Sequence, residues 1–140
     1  MNRPMAKPTP DLLRKVSLFS GLDDKELTSL ADEFNERRFS AGDSIALEGE
    51  GGLMFFVVES GEATVEVRGE EVGKLGPGSA FGEIALIDRR PRTATVTAQS
   101  ELRTFGLPVF VFRPFVEARP EVACKLLEAM ADRLATAESR

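Results

Sequence analysis

The chain has 140 residues, 42% hydrophobic and 29% charged, and this ordinary balance predicts one globular domain. Its net charge of −5 argues against a nonspecific nucleic-acid surface, which needs a basic stripe, and argues weakly against docking on anionic membranes. The chain has no histidine and only one cysteine, Cys124, which excludes a histidine base, an internal disulfide and an all-cysteine metal site.

The N-terminal part predicts a tail followed by short helices. Residues 1–10 contain three prolines and predict a flexible tail. Thr9-Pro10-Asp11 is a good helix start, because the hydroxyl can cap free N–H groups and proline suits the first turn, and the helix should end near Lys15. Asp23-x-x-Glu26 resembles a capping box, which places helices within residues 11–36. Behind it, four apolar residues share one helix face: Leu27, Leu30, Ala31 and Phe34.

Short β-rich runs separated by glycine turns fill residues 37–107. Apolar and polar residues alternate over 63–68, which predicts a half-buried strand with Thr64 on its polar face. The same alternation occurs over 93–98. Many short strands with glycine turns predict a jelly-roll-like antiparallel β-barrel, so the fold class is α+β, with helices on both sides of the barrel in the sequence.

The pattern becomes helical again over residues 108–138. Pro114 predicts a kink or a late helix start within 109–118, and Arg119 should be non-helical because it precedes Pro120. Pro120 then opens a final helix with an apolar stripe. The residues of that stripe are Val122, Leu126, Leu127, Met130 and Leu134.

The most informative stretch is FGEIALI at residues 81–87, followed after a short loop by RTATV at 92–96. Gly82 lacks a Cβ, so backbone amides beside it can come close to an anion. The residues after it can form one helical turn whose free N–H groups point at a phosphate, and Arg92 can supply the countercharge. Glu83 can only accept hydrogen bonds, which suits a sugar hydroxyl. Together these residues fit a small cyclic phosphodiester.

This stretch resembles the phosphate-binding cassette of cyclic-nucleotide-binding domains, the family of cyclic-AMP-dependent kinase regulatory subunits and the catabolite activator protein. The family pattern is F-G-E-(L/I)-A-(L/M), a variable loop, then R-(T/S/A)-A-(T/S), and FGEIAL, IDRRP and RTAT match it without a departure. The flanks at 16–22 and 55–62 also resemble the family, so the resemblance spans roughly residues 11–137. It implies a sensor of cyclic AMP or cyclic GMP, not an enzyme, with no cofactor besides that ligand.

The resemblance implies a role for each cassette position. In the family the equivalent of Glu83 takes the ribose 2′-hydroxyl, and the backbone amides at Gly82 and Ala85 face the ribose-phosphate. From composition alone Arg92 is an ordinary surface arginine, but its place in the cassette favours phosphate binding. The neighbouring arginines at 89–90 have no fixed role in the family, so solvent exposure is favoured for them. The expected ligand-binding residues are Phe81, Gly82, Glu83, Ile84, Ala85, Arg92, Thr93 and Ala94.

The base is left open by the cassette. Threonine at the position of Thr93 favours cyclic GMP in some family members, yet it occurs in members that take cyclic AMP. The family usually closes the base with a residue on or after the last helix, which makes Leu127, Met130 and Arg133 lid candidates. A place in the core or in a dimer seam is favoured for Met130, and a solvated position is favoured for Arg133.

Movement of the C-terminal helices is the expected output, with residues 109–118 as the hinge. The catabolite activator branch continues into a helix-turn-helix and this chain does not, so we expect no DNA binding by the chain itself. The output partner is then an unknown effector protein or an effector domain missing from the sequence. The final apolar stripe leaves a homodimer and a monomer both open. One cysteine, without a signal peptide or a bilayer-length apolar run, predicts a cytoplasmic protein that does not contact membranes.

Two rival functions are weighed against the sensor. The first is a degenerate barrel that binds no nucleotide and serves protein docking or dimerisation. Such a copy would commonly lack the arginine or the acid of the cassette, and this chain keeps both. The second is a small cupin-type enzyme, which would need a cluster of metal ligands that are usually histidines.

Overall fold

A computed structural model describes residues 6–46, 54–82 and 94–138, which form two antiparallel sheets with helices before and after them. The helices are α1 (Pro10–Arg14), a 3₁₀ helix (Ser17–Phe19), α2 (Asp24–Ala31), α3 (Val109–Glu117) and α4 (Pro120–Glu138). The strands are β1 (Asn35–Phe39), β2 (Ser44–Ala46), β3 (Met54–Ser60), β4 (Ala63–Val67), β5 (Glu70–Leu75), β6 (Ala80–Phe81), β7 (Thr95–Ala98) and β8 (Leu102–Pro108).

The first sheet lies between the helices and the second sheet. Its strand order is β1-β8-β3-β6, and the order in the second sheet is β2-β7-β4-β5. Phe55 and Val57 pack into the core that the first sheet shares with the helices, whereas Val58 packs into the core between the sheets. This arrangement confirms the predicted α+β class and the jelly-roll-like barrel.

The predicted caps of both N-terminal helices are confirmed. Thr9 accepts a hydrogen bond from the Leu12 backbone N–H at 3.1 Å. Asp23 and Glu26 form the reciprocal capping box, with bonds of 2.8 Å and 3.0 Å. These bonds satisfy N–H groups that have no partner inside a helix.

The boundary between helices and strands differs from the predicted one at residue 37. Helix α2 ends at Ala31 and β1 begins at Asn35, because residues 35–39 pair with β8. Phe34 is fully buried, as its spacing indicated, but it lies beyond the helix. The Phe34 and Phe55 rings pack in a T-shaped arrangement with their centroids 6.1 Å apart.

Part of the segment predicted as a flexible tail is held by the fold. The Lys7 ammonium donates to the carbonyl oxygens of Asp32 and Phe34 at 3.0 Å and 2.8 Å. Pro8 is buried. Lys7 therefore satisfies carbonyl groups just beyond the end of α2, where the helix provides no N–H donors.

The alternation predicted for the second sheet is correct in β7 and wrong at one position of β4. Val96 and Ala98 are buried while Thr95 and Thr97 are half-buried, as predicted. Thr64, expected on a polar face, is only 4% exposed. Its hydroxyl accepts a hydrogen bond from the Gln99 side-chain amide at 2.9 Å, which removes the cost of burying it.

Helix α3 is uninterrupted from Val109 to Glu117, although Pro114 predicted a kink or a late start. Proline removes one N–H donor, which leaves the Phe110 carbonyl without its usual partner. Three buried side chains, Val109, Phe112 and Phe115, compensate by anchoring one face of the helix in the core. Arg119 is non-helical, as predicted.

The apolar stripe predicted for α4 is divided between two environments. Val122 and Leu126 are buried and Met130 packs partly against the helical core. Leu127 and Leu134 are 64% and 63% exposed. In the described ranges, neither this 19-residue helix nor any other is long and apolar enough to cross a membrane.

Ion pairs join elements that are distant in sequence. On the first sheet, Arg103 of β8 donates to Glu36 of β1 at 2.7 Å, and this hydrogen bond lowers the pKa of the Glu36 carboxyl. Between the helices, Lys125 of α4 donates to Glu26 of α2 at 2.6 Å, and this bond raises the pKa of the Lys125 ammonium.

The turn between β3 and β4 generates a test of the fold. Gly61 and Gly42 share a φ of +92°, but a Cβ on Gly61 would lie 2.3 Å from the Glu101 carbonyl oxygen, whereas nothing lies within 4 Å at Gly42. We expect Gly42→Ala to lower the free energy of unfolding by about 1–2 kcal/mol, and Gly61→Ala by about 1–3 kcal/mol more because backbone must move. Urea unfolding followed by circular dichroism measures both, and equal losses would contradict the account.

Candidate functional site

The candidate site is the segment of residues 83–93 together with the two strands that lead into and out of it. Strand β6 precedes this segment and pairs with β3 at the edge of the first sheet. Strand β7 follows it and lies between β2 and β4 in the second sheet. The segment therefore connects the two sheets. Five expected ligand-binding residues lie outside the described residues: Glu83, Ile84, Ala85, Arg92 and Thr93.

Phe81, the first residue of the cassette, is held by aromatic contacts. It lies opposite Phe56 in the β3–β6 register, and the two rings stack with centroids 5.1 Å apart. The Phe39 and Phe56 rings pack in a T-shaped arrangement with their centroids 6.0 Å apart. We call Phe39, Phe56 and Phe81 the aromatic ladder. Such pairs contribute about 0.5–1.5 kcal/mol beyond the area that they bury, so the ladder fixes the start of the cassette.

Gly106 makes room for the middle ring of the aromatic ladder. It lies opposite Phe56 in the β3–β8 register, and a Cβ built on it would come within 3.2 Å of the Phe56 ring. The Cε atom of Met54 would lie closer still, 2.7 Å from that Cβ, so a larger residue at 106 would displace Met54 as well as the Phe56 ring. The glycine in β8 therefore leaves space for two side chains of β3.

Gly82, the second residue of the cassette, has a left-handed backbone conformation, with φ of +83°. Residues with a Cβ rarely adopt this conformation, because the Cβ approaches the following carbonyl oxygen. The sequence indicated Gly82 for its close approach to an anion. The structure adds a second reason, since the chain leaves β6 through a turn that glycine adopts without strain.

The chain also reaches β6 through a hydrogen-bonded turn at residues 76–79. The Ser79 N–H donates to the Gly76 carbonyl at 2.9 Å, and the Gly76 N–H donates to the Ser79 hydroxyl at 3.2 Å. Val58 exchanges backbone bonds with this turn, receiving from the Gly78 N–H at 2.9 Å and donating to the Ser79 carbonyl at 2.8 Å. Strand β3 therefore holds the turn as well as β6.

At the other end of the segment, Ala94 leads directly into β7. Thr95 pairs with Glu66 of β4, and Val96 pairs with Val65. Further along β7, the Ala98 N–H donates to the Asp43 carbonyl at 2.9 Å. The strands at both ends of residues 83–93 are thus fixed by backbone hydrogen bonds to neighbouring strands, one end in each sheet.

The lid candidates lie on α4, in a different part of the fold. This helix packs against the 3₁₀ helix and α3, whereas Phe81 and Gly82 lie at the edge of the first sheet. Leu127 is 64% exposed, and Met130 is half-buried against the helical core. Arg133 lies in α4. The packing of Met130 favours its interpretation as a core residue.

Sequence reasoning missed the supports of the site, above all Phe56 and Gly106. The run of apolar residues in β3 did identify a strand, but alternation along a strand does not reveal which residue of another strand faces it. Only the register with β6 and β8 shows that Phe56 contacts the cassette.

Comparison with known proteins identifies the family. The sequence profile described as "Cyclic nucleotide-binding domain" matches residues 36–119, more than half of the chain. The chain belongs to the cyclic nucleotide-binding domain family. The matched region contains the eight strands that the structure describes, except the first residue of β1, together with α3 and the whole cassette sequence.

Individual relatives agree with this assignment. A cAMP-dependent protein kinase regulatory subunit from Yarrowia lipolytica (strain CLIB 122 / E 150) is 42% identical over 97 residues, which cover 68% of this chain and 26% of that protein. The crystal structure of the N-terminal domain of a transcriptional regulator from Streptomyces coelicolor A3(2) is 34% identical, with a TM-score of 0.87 and coverage of 92% of this chain and 96% of that chain.

The Thermus thermophilus catabolite activator protein is 29% identical, with a TM-score of 0.72 and coverage of 87% of this chain and 60% of that chain. This chain therefore spans about a quarter of the Yarrowia subunit and 60% of the Thermus protein. It therefore corresponds to one part of each of these proteins.

The aromatic ladder generates a test that needs no ligand. Phe55 and Phe56 are both buried, but only Phe56 contacts Phe81. We expect Phe56→Leu and Phe55→Leu each to lower the free energy of unfolding by about 1–2 kcal/mol. Only Phe56→Leu should also shift the Gly82 amide resonance in a ¹⁵N–¹H NMR spectrum. An unchanged Gly82 signal in the Phe56 variant would show that the ladder does not position the cassette.

Proposed function

We propose that this chain is a sensor module that binds cyclic AMP or cyclic GMP at residues 81–94 and performs no catalysis of its own. The observation that carries the proposal is the complete cassette sequence, FGEIAL to RTAT, in a domain of the cyclic nucleotide-binding family. The structure supports it by anchoring the cassette at both ends, at Phe81 in one sheet and at Thr95 in the other.

The proposed chemistry is capture of one cyclic phosphate and one ribose. Arg92 supplies the positive charge and directed donors for the phosphate, and the backbone amides at Gly82 and Ala85 add further donors. Glu83 accepts a hydrogen bond from the ribose 2′-hydroxyl. Because Gly82 already holds its left-handed conformation, ordering the cassette around the ligand costs less entropy.

Cyclic AMP is the first ligand to test. The relative that is 42% identical is named a cAMP-dependent protein kinase regulatory subunit, and Thr93 is compatible with both bases in this family. Cyclic GMP is the alternative ligand.

The proposed location is the cytoplasm, because the free cysteine Cys124 fits a reducing compartment.

The proposed output is movement of α3 and α4 when the cassette closes on its ligand. Ala118 and Arg119 separate these helices, and Phe110 of α3 is 76% exposed, so the Phe110 ring is free to gain contacts when the helices move. The effector is either a further domain or a separate protein. Coupling between such sites is typically worth about 1–3 kcal/mol.

Calorimetric titration tests the binding proposal. The nucleotide-stripped protein is titrated with cyclic AMP and cyclic GMP, alongside Arg92→Ala and the matched control Arg90→Ala from the same loop. Loss of a charged hydrogen bond worth about 1.5–3 kcal/mol should weaken binding about 10- to 150-fold in the Arg92 variant. The Arg90 variant should bind like the parent chain, because the family assigns that position no role.

The outcomes of this titration separate the two candidate functions. Binding at micromolar concentration or tighter that fails only in the Arg92 variant supports the sensor. Absence of heat with either ligand, in protein shown to be folded by circular dichroism, would instead favour the barrel that serves docking. Equal loss in both arginine variants would contradict the role given to Arg92.

Self-association through α4 is a second proposal, carried by the exposure of Leu127 and Leu134. These leucines lie seven residues apart, so they share one helix face, as in a coiled-coil seam. We expect sedimentation equilibrium to detect dimers that Leu127→Gln with Leu134→Gln abolishes. The control Val72→Gln changes another exposed apolar residue, on β5, and should leave the dimer intact. A monomer at all concentrations would contradict self-association, and the two exposed leucines would then be candidates for contact with the nucleotide base or with the effector.

A further inference from the structure

Helix α4 is joined to α2 by one carboxylate oxygen that makes two bonds. The Lys125 ammonium donates to Glu26 Oε1 at 2.6 Å, across 99 residues of sequence. The same Oε1 accepts the Asp23 backbone N–H at 3.0 Å, which is one half of the capping box of α2. The start of α2 and the position of α4 thus depend on the same atom.

This contact is partly buried and surrounded by acids. The Glu26 side chain is 14% exposed and that of Lys125 is 34% exposed, so solvent and salt screen the pair less than they screen a fully exposed pair. Asp23 and Glu121 also lie close enough to Lys125 to favour its charged form. The aliphatic part of Lys125 passes beside Gly21, where a Cβ would lie 3.8 Å from the Lys125 Cβ.

Among the described side chains of α4, those that are buried or packed against the core lie in its first part. Val122, Leu126 and Ala129 are buried, and Met130 packs partly against the core. Beyond Met130, each side chain of α4 that the structure describes is exposed. The ion pair lies between Val122 and Leu126, at the centre of the attached part.

We propose that Glu26 and Lys125 form a latch that holds α4 against the N-terminal helices and that opens as a unit with the α4 contacts. When the latch opens, Val122 and Leu126 leave the core together, and the face that carries Leu127 and Leu134 changes its direction. Because the latch involves no ligand, it can be tested independently of the proposed nucleotide binding.

Hydrogen exchange of the ligand-free full chain tests the latch. Glu26→Gln keeps an oxygen for the Asp23 N–H and removes only the charge, and Lys125→Met keeps the aliphatic stem beside Gly21. Each variant should speed exchange of the backbone amides at 122–130 by about threefold to tenfold, because opening of this part becomes less costly. Amides of β8 should exchange at unchanged rates.

Three controls make the result specific. Asp24→Asn also removes one negative charge from the first turn of α2, but Asp24 pairs with Arg14 and not with α4. Exchange at 122–130 should be unchanged in Asp24→Asn and in Lys125→Arg, which keeps the charge. The double variant of Glu26→Gln and Lys125→Met should exchange no faster than either single variant, because both remove one interaction.

Several outcomes would overturn the latch. One is exchange at 122–130 that is unchanged in both single variants. Another is equal acceleration in Asp24→Asn, which would indicate a general effect of charge at the start of α2. A third is acceleration that multiplies in the double variant, which would mean that Glu26 and Lys125 act separately.

Discussion

Burial of β3 on both faces is the constraint on which the rest of the structure depends. Phe55 packs among the helices, where it contacts Phe19 and Phe34 edge-on, while Phe56 faces the second sheet. The pairing of β3 with β8 and β6 sets which of these two rings faces the second sheet. The position of Phe81, where the cassette begins, follows from this pairing.

The helices depend on the same strand but are attached to it differently. Helix α3 buries three side chains against the core, which is why it stays continuous through Pro114. Helix α4 is held by a short apolar contact and by the Glu26–Lys125 latch, and much of its length carries exposed side chains. The fold therefore combines a rigid platform for the cassette with a C-terminal helix whose contacts are few enough to break. Both properties suit the sensor function that we propose.

Local features and the class of the fold could be predicted from the sequence, whereas individual tertiary contacts could not. The caps at Thr9 and Asp23 depend on residues within one helical turn, so their signals are complete in a short stretch. The late helix start that Pro114 offered as one possibility was wrong, because burial of one helix face outweighed a missing hydrogen bond. Periodicity did not separate buried Leu126 from exposed Leu127, since both lie on the apolar side of α4.

For the candidate site, the motif indicated where the cassette lies, and the family resemblance suggested a role for each of its residues. The residues that support the cassette come from other strands, so the motif does not reveal them. The most direct measurement is a ¹⁵N–¹H NMR titration of the chain with cyclic AMP and cyclic GMP. We predict that one ligand shifts the amide resonances of Gly82 and Ala94 in a saturable manner, while the resonance of Gly61, in the turn between β3 and β4, stays nearly unchanged. Saturation without a shift at Gly82, or no shift with either ligand, would contradict nucleotide binding at the cassette.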